Sequence, residues 1–236
     1  MKLLTFRKDG HDHLGAVRDD AIVDLTTALS TDPRFGSMQA LIEGGDDALT
    51  QAAATLAHTT QTLPADQVEW RAPLPRPPQL RDFLSFELHL KNSFEAALKL
   101  AAQEADDPVA AEATLRASGR FNIPDVWYRQ PIYYKGNRFA VAATGEDIPW
   151  PAYSKVMDYE LELACVIGHA GRDIPRDQAH EHIFGYTVFN DFSARDAQVA
   201  EQQGMLGPAK GKDFDKANVL GPVIVTRDEI PDPYQL

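Results

Sequence analysis

The chain has 236 residues, 44% of them hydrophobic, and carries 23 basic against 35 acidic side chains for a net charge of −12. That length suits one large or two small domains with a sizeable core, and the negative charge argues against nucleic acid or an anionic membrane as a partner. A single cysteine, Cys165, excludes an intrachain disulfide. No run reaches the roughly 18 apolar residues of a membrane span, and the N-terminus lacks a signal-peptide apolar core, so a cytoplasmic protein in a reducing compartment is expected.

In chain order, residues 1–63 read as a small α+β N-terminal domain. Leu3–Phe6 and Leu14–Val17 are short strands around a polar turn, Ala21–Leu25 is a third, and Met38–Ile42 and Ala48–Leu56 have helical spacing. His11 and His13 fall on the hairpin tip, where they are expected to face solvent rather than hold a metal. Prolines at 64, 73, 75, 77 and 78 make residues 64–79 an extended, stiff linker. Residues 80–236 follow as a larger domain. Leu80–His89 looks like a strand giving way to a helix, and helical pattern runs from Lys91 to about Gly119 with a break at Asp106-Asp107-Pro108. Aromatic and basic side chains alternate through Pro124–Gly136, and strand character returns at Arg138–Val141.

The chemistry concentrates further on. Asp158–Gly168 reads as a buried strand that places Glu160 and Glu162 on one face. Two carboxylates about 4 Å apart at an effective dielectric near 20 repel by roughly 4 kcal/mol. A hard divalent cation would relieve that, and a solvated acidic face is the alternative. Cys165 in the same run is expected to fill core. Ile183–Asn190 is a second strand, ending at a third carboxylate, Asp191. Ser193 is the expected N-cap of a helix on which Arg195 and Gln198 share a face. His180 and His182, two apart in a helical stretch, diverge and share no metal. The Glu201–Phe214 loop holds Lys210 and Lys212 without phosphate-loop spacing, which excludes a nucleotide reading.

Three stretches, Asp158-Tyr-Glu-Leu-Glu-Leu-Ala, Gly185-Tyr-Thr-Val-Phe-Asn-Asp-Phe-Ser-Ala-Arg-Asp-Ala-Gln198, and Gly211-Lys-Asp-Phe214 followed by Gly221-Pro222, resemble in order and spacing the fumarylacetoacetate hydrolase family. The likeness covers roughly residues 70–230. It implies a mixed α+β, β-rich fold with the family's β-roll domain, here ending short of the usual C-terminal part. It implies Glu160, Glu162 and Asp191 as metal ligands, with Asp82 joining them in the fumarylacetoacetase branch. His89, seven residues after Asp82, would be the general base. Asn92 stands where several members carry a glutamate one turn later. Tyr134 matches a substrate-contacting tyrosine, with Tyr133 as a rival, and Lys212 rather than Lys210 faces substrate. Arg195, Gln198 and Lys212 together would stabilise an enolate. The activity implied is metal-dependent hydrolysis of a C–C bond in a fumarylacetoacetate- or acylpyruvate-like 1,3-diketo acid. Alternatives are isomerisation, hydration or decarboxylation of 2-oxo acids on the same site, or an inactive metal-binding fragment. Mg2+ is the first choice of cation, with Mn2+ or Ca2+ as alternatives; the partners implied are a small diketo or 2-oxo acid and a second copy in a homodimer.

Overall fold

Asp9 and Gly10 both take left-handed backbone angles (φ 50° and 80°), the geometry that closes a tight hairpin between twisted strands. They join β1 (Lys2–Lys8) to β2 (His11–Arg18), which pair from Lys2↔Val17 to Lys8↔His11. The computed structural model describes residues 1–236 and groups into two compact units, residues 1–80 with 136–236, and residues 81–135.

In the first unit β3 (Ala21–Asp24) follows β2, and Asp24 caps the short α1 (Leu25–Ala28) by accepting from the Thr27 amide. Ser37 caps α2 (Met38–Glu43), which leads into α3 (Gly45–His58). Apolar residues of these helices meet one face of the sheet. Leu3, Leu14, Val23, Phe35, Leu41 and Ile224 are buried together in the main core cluster, where each such side chain contributes roughly 1.5–3 kcal/mol by leaving water. The proline-rich stretch carries a 3-10 turn at Ala65–Gln67 between two short strands, so it is not extended throughout: β4 (Leu63–Pro64) pairs β3, and β5 (Glu69–Arg71) pairs β1.

The second unit opens with β6 (Arg81–Phe83) and α4 (Glu87–Gln103). Asp107 accepts from the amides of Val109 and Ala110, and Pro108 starts α5 (Pro108–Ser118), so the break falls where the proline predicts it. Gly119 ends α5 at φ 69°, a left-handed C-cap. After α6 (Asp125–Arg129), β7 (Tyr133–Lys135) pairs β6 with Asp82 opposite Tyr134.

The chain then returns to the first unit with β8 (Val141–Ala143), β9 (Met157–Asp158), β10 (Leu161–Ile167), β11 (Ile183–Asp191), β12 (Ser193–Ala194), α7 (Arg195–Gln202), β13 (Asn218–Leu220) and β14 (Ile224–Thr226). One sheet runs β4-β3-β2-β1-β14-β11-β13-β8, with β5 on β1 and β10 on β11. Because β1 hydrogen-bonds β14, with Leu3 opposite Ile224, the compact units are a different partition from the division at residues 63 and 79. Those boundaries stay a proposal about modules.

Three local expectations need correction. His13 does not face solvent: its side chain is 18% exposed, and its Nδ1 lies 3.1 Å from Asp24 Oδ1 at the end of β3. The strand from Asp158 to Gly168 is half covered rather than buried. Ala164 and Val166 pack inward, whereas Leu161, Leu163 and Ile167 are 76%, 45% and 61% exposed on the other face. β10 pairs only with β11 and has nothing over that face, so Cys165 is exposed rather than core filler. Ser193 is not a helix cap: it sits in β12, its hydroxyl donates to the Asp191 carbonyl at 3.1 Å, and α7 begins after Ala194.

Candidate active site

The antiparallel ladder of β10 and β11 places the acidic residues. Leu161 lies opposite Asn190, the Asp191 amide donates to the Glu160 carbonyl at 3.1 Å, and the Glu160 amide donates to the Asn190 side chain at 3.1 Å. Glu160 is thus fixed beside Asp191, and Glu162 follows on the same face. One carboxylate oxygen from each of Glu160, Glu162 and Asp191 lies within 4.8 Å of the others.

Two cations are brought to this cluster from later in the chain. Lys212 follows α7 in a tight turn, its amide donating to Ala209 at 3.0 Å. Its side chain is 4% exposed, and Nζ lies 2.5 Å from Glu160 Oε2, 2.5 Å from Asp191 Oδ2 and 3.4 Å from the Asp191 carbonyl. Arg195, the first residue of α7, places Nη1 2.7 Å from Glu160 Oε1 and Nη2 2.8 Å from Asp158 Oδ2. The same Nη1 donates to Gln198 Oε1 at 3.0 Å, so the two residues do share a helical face. Lys210, by contrast, stands 5.5 Å over the Tyr153 ring.

Burial pushes the Glu160 carboxyl up, but the Lys212 ammonium and the Arg195 guanidinium outweigh it and hold the group below the usual carboxylate range. Burial works the other way on Arg195, yet Glu160 and Asp158 keep its guanidinium above its ordinary value. The carboxylates of Asp158, Glu160, Glu162 and Asp191, with the ammonium and the guanidinium, together carry a formal charge of −2. Oxygens bound to one hard cation at 2.0–2.6 Å lie at most about 5 Å apart. Glu160, Glu162 and Asp191 therefore fit a divalent cation by spread, donor type and charge.

The remaining expected residues lie in the second unit. Asp82 is half-buried on β6, Tyr134 half-buried opposite it on β7, and His89 exposed in the first turns of α4. Tyr133 is exposed, with its ring 4.8 Å from Phe83 and 5.1 Å from the Arg81 guanidinium. Sequence reasoning missed Asp158 as the residue that locks Arg195, and Asp196, whose carboxylate accepts from Ser154 Oγ at 2.6 Å and the Lys155 amide at 2.7 Å. For Asp158 a signal existed, since it stands two residues before Glu160 on the same face.

Fold and centre define a class: a β-rich α+β protein that gathers carboxylates, a buried ammonium and a guanidinium at the end of one strand pair, an arrangement whose donors suit a hard divalent cation. The chain belongs to the fumarylacetoacetate hydrolase family, whose Fumarylacetoacetate (FAA) hydrolase C-terminal profile matches residues 103–236. It is 29% identical over 243 residues to the human oxaloacetate tautomerase FAHD2A, mitochondrial, an alignment covering 100% of this chain and 66% of that protein. The chain therefore spans just under two thirds of that relative's length. Among solved structures, a fumarylacetoacetate hydrolase from psychrophilic Exiguobacterium antarcticum superimposes with a TM-score of 0.65 at 24% identity, over 97% of this chain and 67% of that one. A maleylpyruvate hydrolase from Sphingobium sp. SYK-6, in complex with manganese(II) and pyruvate, gives a TM-score of 0.66 at 21% identity, over 99% and 70%. Both likenesses are of fold. No helix is long and apolar enough to cross a membrane.

Proposed function

We propose that the chain acts, with a bound divalent cation, on a small 2-oxo or 1,3-diketo acid through its enol. The observation that carries this reading is the cluster of Glu160, Glu162 and Asp191 with Lys212 and Arg195 held against it. Glu160, Glu162 and Asp191 are the proposed ligands, with Asp82 as a fourth taken from the family pattern. Mg2+ is the first choice, and Mn2+, the ion bound by the Sphingobium enzyme, or Ca2+ the alternatives. When bound, such an ion polarises the oxygens of the oxo acid and lowers the cost of negative charge on them.

The chain's own residues supply the rest. His89 is the proposed proton acceptor. Tyr134, Gln198, Arg195 and Lys212 are the proposed donors to substrate oxygens, where negative charge gathers in the transition state. Two reactions share that enol. In keto–enol tautomerisation a proton leaves the carbon next to the carbonyl and another adds to oxygen. In hydrolysis water adds to a carbonyl and the C–C bond breaks to expel the enolate. Tautomerisation is favoured by the likeness of the whole chain to part of an oxaloacetate tautomerase; hydrolysis of an acylpyruvate is the second reading, favoured by the pyruvate-bound Sphingobium neighbour. A homodimer and a cytoplasmic setting are also proposed; the human relative's name places that protein in the mitochondrion.

The test has two readouts. The melting temperature of EDTA-treated chain is followed through Mg2+ and Mn2+ titrations, where a cation at 100 times its Kd adds about 2.7 kcal/mol. Loss of the oxaloacetate enol absorbance and release of pyruvate from acylpyruvates are followed in parallel. A cation-dependent rise that disappears in Glu162→Gln, with faster ketonisation, supports the first reading. Pyruvate release without ketonisation selects the second. No thermal response to any divalent cation overturns both.

A further inference from the structure

Lys212 stands where a cation's charge would be most needed, and this deepens the reading just given, on which it rests. All three donors of its ammonium are engaged: Glu160 Oε2 and Asp191 Oδ2, each at 2.5 Å, and the Asp191 carbonyl at 3.4 Å. The ammonium and Asp191 are both almost fully enclosed, at 4% and 0% side-chain exposure. Neither tolerates that burial without the other, since an unpaired buried charge is strongly disfavoured.

Glu160 cannot turn away to offer a fresh oxygen. Its Oε1 is 2.7 Å from Arg195 Nη1, and Arg195 is itself tied to Asp158 at 2.8 Å. Both Glu160 oxygens are already held by a positive group, so a hard cation drawn to Glu160 must share one of them, and Oε2 is the one Lys212 holds. An ammonium and a divalent ion on that one oxygen would sit only a few ångströms apart, at a distance where like charges repel strongly even under generous screening. Lysine has a flexible four-carbon stem that lets its head group swing while the backbone stays anchored.

We infer that the Lys212 ammonium and the divalent cation compete for Glu160 Oε2, so that Lys212 sets the cation affinity of the centre and cation loading releases its ammonium. The lysine is a built-in counter-ion. Loading the site frees one positive group for a carboxylate- or enolate-bearing substrate, coupling the two binding events.

The experiment is isothermal titration of Mn2+ into the EDTA-treated full chain as wild type, Lys212→Met and Lys212→Arg. Competition predicts a Kd at least about tenfold tighter in Lys212→Met, because one positive charge next to the ion is gone, and no tightening in Lys212→Arg, which keeps it. Unchanged or weaker binding by a folded Lys212→Met overturns the inference while leaving the cation site standing. No binding by wild type and Lys212→Met alike overturns the site and the inference together. Should Lys212→Met fail to fold, wild-type chain carrying 13C-labelled lysine gives the second arm. The Lys212 Cε resonance, identified by its loss in Lys212→Arg, must move as Mg2+ saturates; a resonance that stays fixed at saturation overturns the release.

Discussion

Arg195 shows how one side chain can do two jobs at the residue scale. Its guanidinium spans Glu160 and Asp158, at 2.7 and 2.8 Å, a reach that a lysine's point charge cannot reproduce. Arg195→Lys should lower stability by about 2 kcal/mol in urea titration, given that hydrogen bonds to charged groups contribute roughly 1.5–3 kcal/mol. A loss below about 0.5 kcal/mol would mean that solvent replaces the clamp at this half-exposed position. Asp24 carries a pH-dependent contribution elsewhere. Burial pushes its carboxyl up, but the Thr27 hydroxyl and amide, His13 and Lys8 hold it below the ordinary 3.8. A depressed carboxyl stabilises the fold above the unfolded value, and that contribution is lost as pH falls from about 3.8 through the folded value. Asp24→Asn keeps a capping side chain but cannot titrate, so its urea midpoint should fall less than wild type between about pH 5 and pH 2.5; equal losses would show that Asp24 is not the group responsible. The candidate residues on β10, β11 and α7 were legible because strand and helix periods are local rules. Asp158 stood readable two residues before Glu160, but its hold on Arg195, 37 positions on, was not, and Asp196 escaped because Ser154 lies 42 positions away.

Elements differ in how much of themselves a pattern reveals. The β1–β2 hairpin, the helices of residues 38–58 and the break before Pro108 follow from turn, cap and spacing signals, and all are present. What covers a face is not written in a strand's own alternation, so β10 reads as buried while its outer side is open. Nor does an N-cap residue type guarantee a cap, since the Ser193 hydroxyl found a nearer carbonyl. Glycine separates the two kinds of constraint. At Gly185, in the β11 strand that carries the site, an added Cβ would meet the Val225 carbonyl at 2.3 Å. Gly185→Ala must push β14 off β11 and should cost about 2–3 kcal/mol, within the range for overpacking a tight contact. Gly10 has φ 80° and open space around it, so Gly10→Ala should cost only about 1–2 kcal/mol of backbone strain. Equal losses from the two variants in denaturant titrations would sink the packing account of Gly185.

At the scale of the whole molecule, the pairing of β1 with β14 joins residues more than 220 positions apart, a contact that no local signal announces. The same scale sets two opposing tendencies. Leu161, Leu163 and Ile167 on edge strand β10, with Val188 on β11, leave apolar side chains in water at 76%, 45%, 61% and 46% exposure, the kind of stripe that seeks cover. A net charge of −12 pushes copies of the chain apart. If a second copy covers this stripe in the proposed homodimer, screening should decide the balance. Sedimentation equilibrium should show association tightening as salt rises from about 0.05 to about 0.5 M, while the Debye length falls from roughly 14 to roughly 4 Å. Leu163→Lys discriminates the two forces, because it changes the charge from −12 to −11 and so weakens the repulsion. Pure electrostatics predicts tighter association in that variant; burial of the stripe predicts weaker association at every salt concentration, since a lysine head group must then be desolvated. Tighter or unchanged association in Leu163→Lys would remove β10 from the dimer surface, because the lost apolar contact and the desolvated lysine both act against association there.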